Sequence, residues 1–110
     1  MLIMKSLLLC LLLPLFFQDN NYTIGEVMRN ARQLHNDSTA VKITGYVTKK
    51  LRDNNYLFED KTAEIQIDID PRYLPRKPFN DKDAVTIKAL VQYEINKPIT
   101  LKVNQAVSND

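Results

Sequence analysis

The sequence predicts a mainly β fold, a five-stranded Greek-key barrel with one N-terminal α-helix. Three observations predict it. With 110 residues, the chain has room for one small domain. Five short stretches alternate apolar and polar side chains, the period of a half-buried strand. Only one stretch has helical spacing, and it precedes all five strands.

The first residues stand apart from that domain. Residues 7–17 (LLLCLLLPLFF) form an uninterrupted apolar run, and Lys5 is the only charge before it. The run is shorter than the roughly 20 residues of a spanning helix and fits the apolar core of an export signal, about 7–15 residues. We therefore expect an export signal over residues 1–18 and one domain over residues 19–110. No Ala-x-Ala pattern fixes the cleavage point. Cys10 is a poor lipoprotein acceptor, because Leu7, Leu8 and Leu9 are bulky where small residues are required. Loss of Lys5 and Cys10 with the signal leaves a nearly neutral chain without cysteine.

The helix is expected over residues 24–35. Thr23 and Glu26 have the spacing of a capping box, and Val27, Met28, Ala31 and Leu34 follow at helical spacing. Arg29, Arg32 and Gln33 fall on the wet face, and Asn36-Asp37-Ser38 ends the helix. In the first strand, residues 39–51, Val41, Ile43, Gly45 and Val47 alternate with Lys42, Thr44, Tyr46 and Thr48. The cluster Arg52-Asp53-Asn54-Asn55 turns the chain into a second strand, Tyr56-Leu57-Phe58-Glu59. Asp60-Lys61-Thr62-Ala63 turns it again. Ile65, Ile67 and Ile69 then alternate with Glu64, Gln66, Asp68 and Asp70 in the clearest strand of the sequence. Pro71, Pro75 and Pro78 forbid regular structure over residues 71–81, apart from a short turn at Arg72-Tyr73-Leu74. Val85, Ile87, Ala89 and Val91 mark the fourth strand. Residues 93–98 form a loop. Ile99, Leu101 and Val103 mark the fifth strand, with Val107 as an extension. Five strands of this size match the OB-fold; a sandwich normally needs about seven. The usual helix between strands three and four has little room, so the N-terminal helix is expected to cover an open end of the barrel.

These pieces carry a family resemblance. Behind an export signal and an amphipathic helix come Val41-Lys42-Ile43-Thr44-Gly45-Tyr46-Val47, then Tyr56-Leu57-Phe58-Glu59-Asp60-Lys61-Thr62, then Val85-Thr86-Ile87. In this order they resemble the bacterial OB-fold family of small periplasmic stress-tolerance proteins, over about residues 23–107. Ala63 and Ala89 stand where that family usually has glycine, and Tyr73 is the candidate replacement for its usual tryptophan. The resemblance implies a non-enzymatic periplasmic protein that binds small ligands or envelope components. It offers no catalytic residues to carry over.

The OB-fold binds ligands on strands two and three and on loops 1–2 and 4–5. If the isoleucines of the third strand point inward, the exposed face carries Leu57, Glu59, Glu64, Gln66 and Asp68. Tyr46 lies on the outer side of the first strand. That face suits a small or cationic ligand, a cell-wall component or a protein partner, with Tyr46 and Leu57 as apolar anchors. Basic residues collect elsewhere, as Lys49, Lys50 and Arg52 at the first hairpin and Arg72, Arg76 and Lys77 after the third strand. They can meet anionic headgroups or glycan-linked phosphates.

Composition narrows the alternatives. Two glycines are too few for a glycine-rich phosphate loop, and one His and one Cys cannot build an ordinary zinc site. No serine-nucleophile motif and no second His are available for a triad. His35 reads as a surface residue near a helix end. An envelope hydrolase using Glu59 and Asp68 is conceivable as a carboxylate pair, but the face they share is wet and the sequence implies no deep pocket there. Asp60, Asp68 and Asp70 lack EF-hand spacing for Ca²⁺. An oligonucleotide binder needs a basic groove with stacking aromatics, the reverse of this acidic face, and a larger surplus than the net charge of +2. No cofactor and no metal are expected.

Overall fold

In a computed structural model, which describes residues 21–109, five strands close into one barrel in the order β1-β2-β3-β5-β4. The strands are β1 (Ala40–Lys50), β2 (Asn55–Glu59), β3 (Glu64–Asp68), β4 (Val85–Gln92) and β5 (Thr100–Val103). Four of the pairings are antiparallel; β3 with β5 is parallel. The export signal expected over residues 1–18 lies outside the described residues.

The inward-facing residues are those the alternation named. Ile65, Ile67 and Ile69 are buried, as are Tyr56 and Phe58, Val41, Ile43 and Val47, Val85, Ile87, Ala89 and Val91, and Leu101 and Val103. Burial of these side chains is the main driving force for closure, at about 1.5–3 kcal/mol for each large one. β1 runs past both β2 and β4, which makes it the longest strand and forces it to curl. At Gly45 the curl brings the backbones of β1 and β2 together. A Cβ there would sit 2.5 Å from the Glu59 carbonyl oxygen and 3.0 Å from Phe58 Cζ. Ala63 fits its turn without strain: among the described residues, the non-glycine positions with positive φ are Ser38, Asp53 and Asn96.

The single helix expected over residues 24–35 is two short ones, α1 (Ile24–Arg29) and α2 (Ala31–Asn36). Asn30 breaks them, at φ −112° and ψ 18°. Its side-chain Nδ2 donates to the Glu26 carbonyl, the same acceptor its backbone N–H uses, so the side chain competes with the helical ladder. Met28, expected on the apolar face, is 39% exposed. Ile24, Val27, Ala31 and Leu34 enter the core, and α2 packs on β4.

The start of α1 is fastened to the β2–β3 turn. The capping box forms as expected, with Glu26 N–H donating to Thr23 Oγ1 and Thr23 N–H donating to Glu26 Oε1. The next two donors go further afield. Ile24 N–H donates to Asp60 Oδ2 at 2.8 Å, and Gly25 N–H donates to Thr62 Oγ1 at 2.8 Å. Asp60 Oδ1 accepts from the Thr62 hydroxyl and from the Thr62 and Ala63 N–H groups. Asp60 and Thr62 thus join the turn to the helix and supply free donors of its first turn with acceptors.

Burial raises the Asp60 carboxyl pKa, but the bonds from the Thr62 hydroxyl and from the Ile24, Thr62 and Ala63 N–H groups outweigh it. They hold the group below its ordinary value of 3.8. A folded-state pKa below the unfolded one contributes stability above the unfolded value and loses it as pH falls through the folded one. Urea midpoints of the wild type and Asp60→Asn should therefore differ by a constant amount from pH 7 to about pH 5 and converge below about pH 4. A gap that does not narrow as pH falls below about 4 would contradict this.

The remaining departures lie near the ends of strands. β3 stops at Asp68; Ile69 stays buried and its N–H donates to the Asn54 carbonyl. Asp70 Oδ1 then accepts from Arg72 N–H and starts a 3₁₀ turn at Pro71–Tyr73, where the Pro-broken segment begins. Val107 does not extend β5. The chain leaves the sheet after Val103 and folds back, so that Val107 N–H reaches the Tyr73 carbonyl and Ser108 bridges Thr86.

Candidate functional site

Cross-strand register orders the outer face of β1, β2 and β3 into rows. In one row Tyr46 faces Glu59, and Glu59 faces Glu64. Directly opposed side chains on neighbouring strands stand about 4.5–5.5 Å apart at Cβ. All three are exposed, Tyr46 at 38%. Two carboxylates facing each other repel. Among the described residues, neither has a cation within ion-pair distance. Chemically, a ring face beside two unneutralised carboxylates favours a cation, since the ring quadrupole and the carboxylates both attract positive charge.

The next row overturns the separation of acidic face from basic hairpin. A bulge between Val47 and Lys49 shifts the register by one residue, so that Lys49 faces Leu57 and Leu57 faces Gln66. Lys49 thereby joins the outer face. The shift sends Lys50 the other way, opposite Tyr56, with its Nζ 5.8 Å from the centre of that ring. Tyr56 in turn meets Phe79 edge to face at 5.4 Å. Arg52 stays exposed in the hairpin. Leu57 is half-buried, an apolar floor rather than a projecting anchor.

Asp68 lies in a third row, between Asn55 and Lys102. Glu59 faces Glu64, so Asp68 is four residues further along the strands, roughly 13 Å away. Paired glycosidase carboxylates stand about 5–9.5 Å apart. Glu59 and Asp68 do not form such a pair. Asp68 and Asp70 line a separate cleft of about 210 Å³ with Arg72 and Lys102, whose charges oppose a bound cation. Asp60 is at the opposite end of the sheet. Among the described residues, no three His, Cys, Asp or Glu side chains are grouped to hold a metal ion.

Sequence reasoning missed a second concavity. The β4–β5 loop, residues 93–99, borders a cleft of about 420 Å³ whose lining includes Gln66 from the middle of β3 and Thr100 at the start of β5. His35 reaches it because its Nδ1 lies 2.9 Å from the Val91 carbonyl, which fixes the ring against β4. The position of the loop between two strands was visible in the sequence; the helix end that meets it was not.

A closed five-stranded barrel with this strand order is an OB-fold, a fold that binds ligands on strands two and three and on loops 1–2 and 4–5. The sequence profile of the bacterial OB fold (BOF) proteins matches residues 16–107, and the chain belongs to that family. Among solved structures it is similar to the hypothetical protein ygiW from E. coli, with TM-score 0.65 and 24% identity over 84% of this chain and 90% of that one. It is also similar to the OB domain of MM0293 from Methanosarcina mazei, with TM-score 0.57 and 14% identity over 84% and 83% of the two chains. At these identities the likeness is one of fold. No curated protein matches the chain. No helix among the described residues is long and apolar enough to cross a membrane.

Proposed function

We propose that this protein is a non-enzymatic binding or adaptor protein of the bacterial envelope, exported to the periplasm, that supports stress tolerance by capturing a cationic ligand. The observation that carries the reading is the row Tyr46–Glu59–Glu64, one ring and two opposed carboxylates exposed across three strands. A polyamine or the basic side chain of a peptide fits it. The cation relieves the repulsion between the carboxylates and lies against the ring, so the free energy it releases includes strain already present in the unliganded sheet. The apolar run of residues 7–17 supports export, and the exposed carboxylates of Glu59 and Glu64 on the outer face argue against nucleic acid.

Calorimetry with spermidine tests it. The wild type should bind, more weakly as salt rises, because exposed charges are screened. Glu59→Gln combined with Glu64→Gln should weaken binding at least about tenfold, and Tyr46→Ala by about threefold to tenfold. The double variant should also be slightly more stable, since it removes a like-charge pair. Undiminished affinity in the double variant would end this reading.

A further inference from the structure

We propose that the outer face of β1 and β4 carries an anion site for a phosphate monoester. It lies outside strands two and three and loops 1–2 and 4–5, on which the fold binds its usual ligands. Register places Lys42 on β1 directly opposite Lys88 on β4, and Thr44 opposite Thr86 two residues along. Opposed side chains on neighbouring strands stand about 4.5–5.5 Å apart at Cβ. Both lysines are half-buried. The chain after β5 closes the third side. Ser108 N–H donates to the Thr86 carbonyl at 3.1 Å, and Thr86 N–H donates to the Ser108 carbonyl at 2.8 Å. Gln105, Ala106 and Ser108 thereby border a cleft of about 310 Å³ with Lys42, Lys88 and Thr86.

The bordering side chains set the charge of the ligand. Two are ammoniums, and Thr86, Gln105 and Ser108 each carry a hydrogen-bond donor. Among the described residues that line the cleft, none is acidic. Each ammonium has three N–H donors, so an interaction that either lysine makes elsewhere leaves donors for an anion. Thr44 Oγ1 lies 2.9 Å from Thr86 Oγ1; when Thr44 donates, the Thr86 hydroxyl proton is left for the ligand. Two like charges held in register are matched by one doubly charged group. A phosphate monoester carries about −1.5 to −2 at pH 7 and has three acceptor oxygens. A diester or a carboxylate brings a single charge and leaves one ammonium uncompensated. The monoester oxygens take both ammoniums and the hydroxyls of Thr86 and Ser108. This site shares no residue with the Tyr46–Glu59–Glu64 row, and either can exist without the other.

Titration of the protein with methyl phosphate at about pH 8 tests it, with dimethyl phosphate as the singly charged comparison. The monoester should bind about tenfold more tightly than the diester. Lys42→Gln and Lys88→Gln should each weaken the monoester about tenfold, whereas Lys88→Arg should keep most of the affinity. Melting curves check that each variant is folded. Glu59→Gln should leave monoester binding unaltered. Vesicle sedimentation separates the two sources of such a group. Binding to vesicles containing phosphatidic acid, but not to those containing phosphatidylglycerol, identifies a lipid headgroup. Binding of methyl phosphate without vesicle binding identifies a soluble ester. The proposal is overturned if neither methyl phosphate nor phosphatidic acid binds, if the diester probes bind as tightly, or if either folded glutamine variant keeps wild-type affinity.

Discussion

Gly45→Ala is expected to destabilise the barrel by about 3 kcal/mol, enough to lower the melting temperature of a domain this size by roughly 12–24 °C. The added Cβ would meet the Glu59 carbonyl oxygen at 2.5 Å, a contact with backbone rather than with a side chain that can rotate away. The Phe58 ring, fully buried, blocks the other direction at 3.0 Å. Relief therefore requires β1 and β2 to separate at the point where Tyr46 faces Glu59, so ligand capture should fail together with stability. Thr44→Ala is the control. Thr44 is on the wet side of the same strand, bonded to the Thr86 hydroxyl at 2.9 Å, and its loss should cost about 1 kcal/mol or less. Denaturant unfolding of both variants checks the contrast. Equal stability of the two would mean that the curl of β1 does not depend on the missing side chain.

Asp60→Ala is expected to cost about 2–3 kcal/mol. The substitution removes the acceptor for Ile24 N–H at the helix start and for the Thr62 and Ala63 N–H groups in the turn, together with the Thr62 hydroxyl. Two elements lose their join at once. Thr62 then has no anchor, and the bond it accepts from Gly25 N–H loosens as well. The loss should appear in hydrogen exchange as faster opening of residues 24–36, while the β4 and β5 amides remain protected. Asp60→Asn keeps one oxygen and should fall between the wild type and the alanine variant. If α1 kept its protection in Asp60→Ala, the turn would not be what holds the helix in place.

Features local to one element were readable in the sequence. Ile65, Ile67 and Ile69 alternate with polar residues at the period of a strand, and that alone fixed which side of β3 meets water. The capping box at Thr23 and Glu26 was equally plain, because both partners lie within one turn of helix. Contacts that cross the chain were hidden. Asp60 and Thr62 read as turn formers, yet their second role depends on a helix start 36 residues earlier. Gly45 fell in the correct alternation without its reason, which is the approach of another strand. The bulge after Val47 moved Lys49 from the hairpin to the outer face, and no residue pattern announces a bulge there. The break at Asn30 was also missed, since helical spacing of apolar residues continues through it. The cleft under the β4–β5 loop needs three elements from distant parts of the sequence.

Cation capture by the row Tyr46–Glu59–Glu64, as proposed above, is open to measurement by amide chemical shifts during a spermidine titration of the protein. The largest changes should fall on Tyr46, Glu59 and Glu64 and vanish in the double glutamine variant. Saturable binding with its largest changes elsewhere, or no change at any concentration, would rule that capture out.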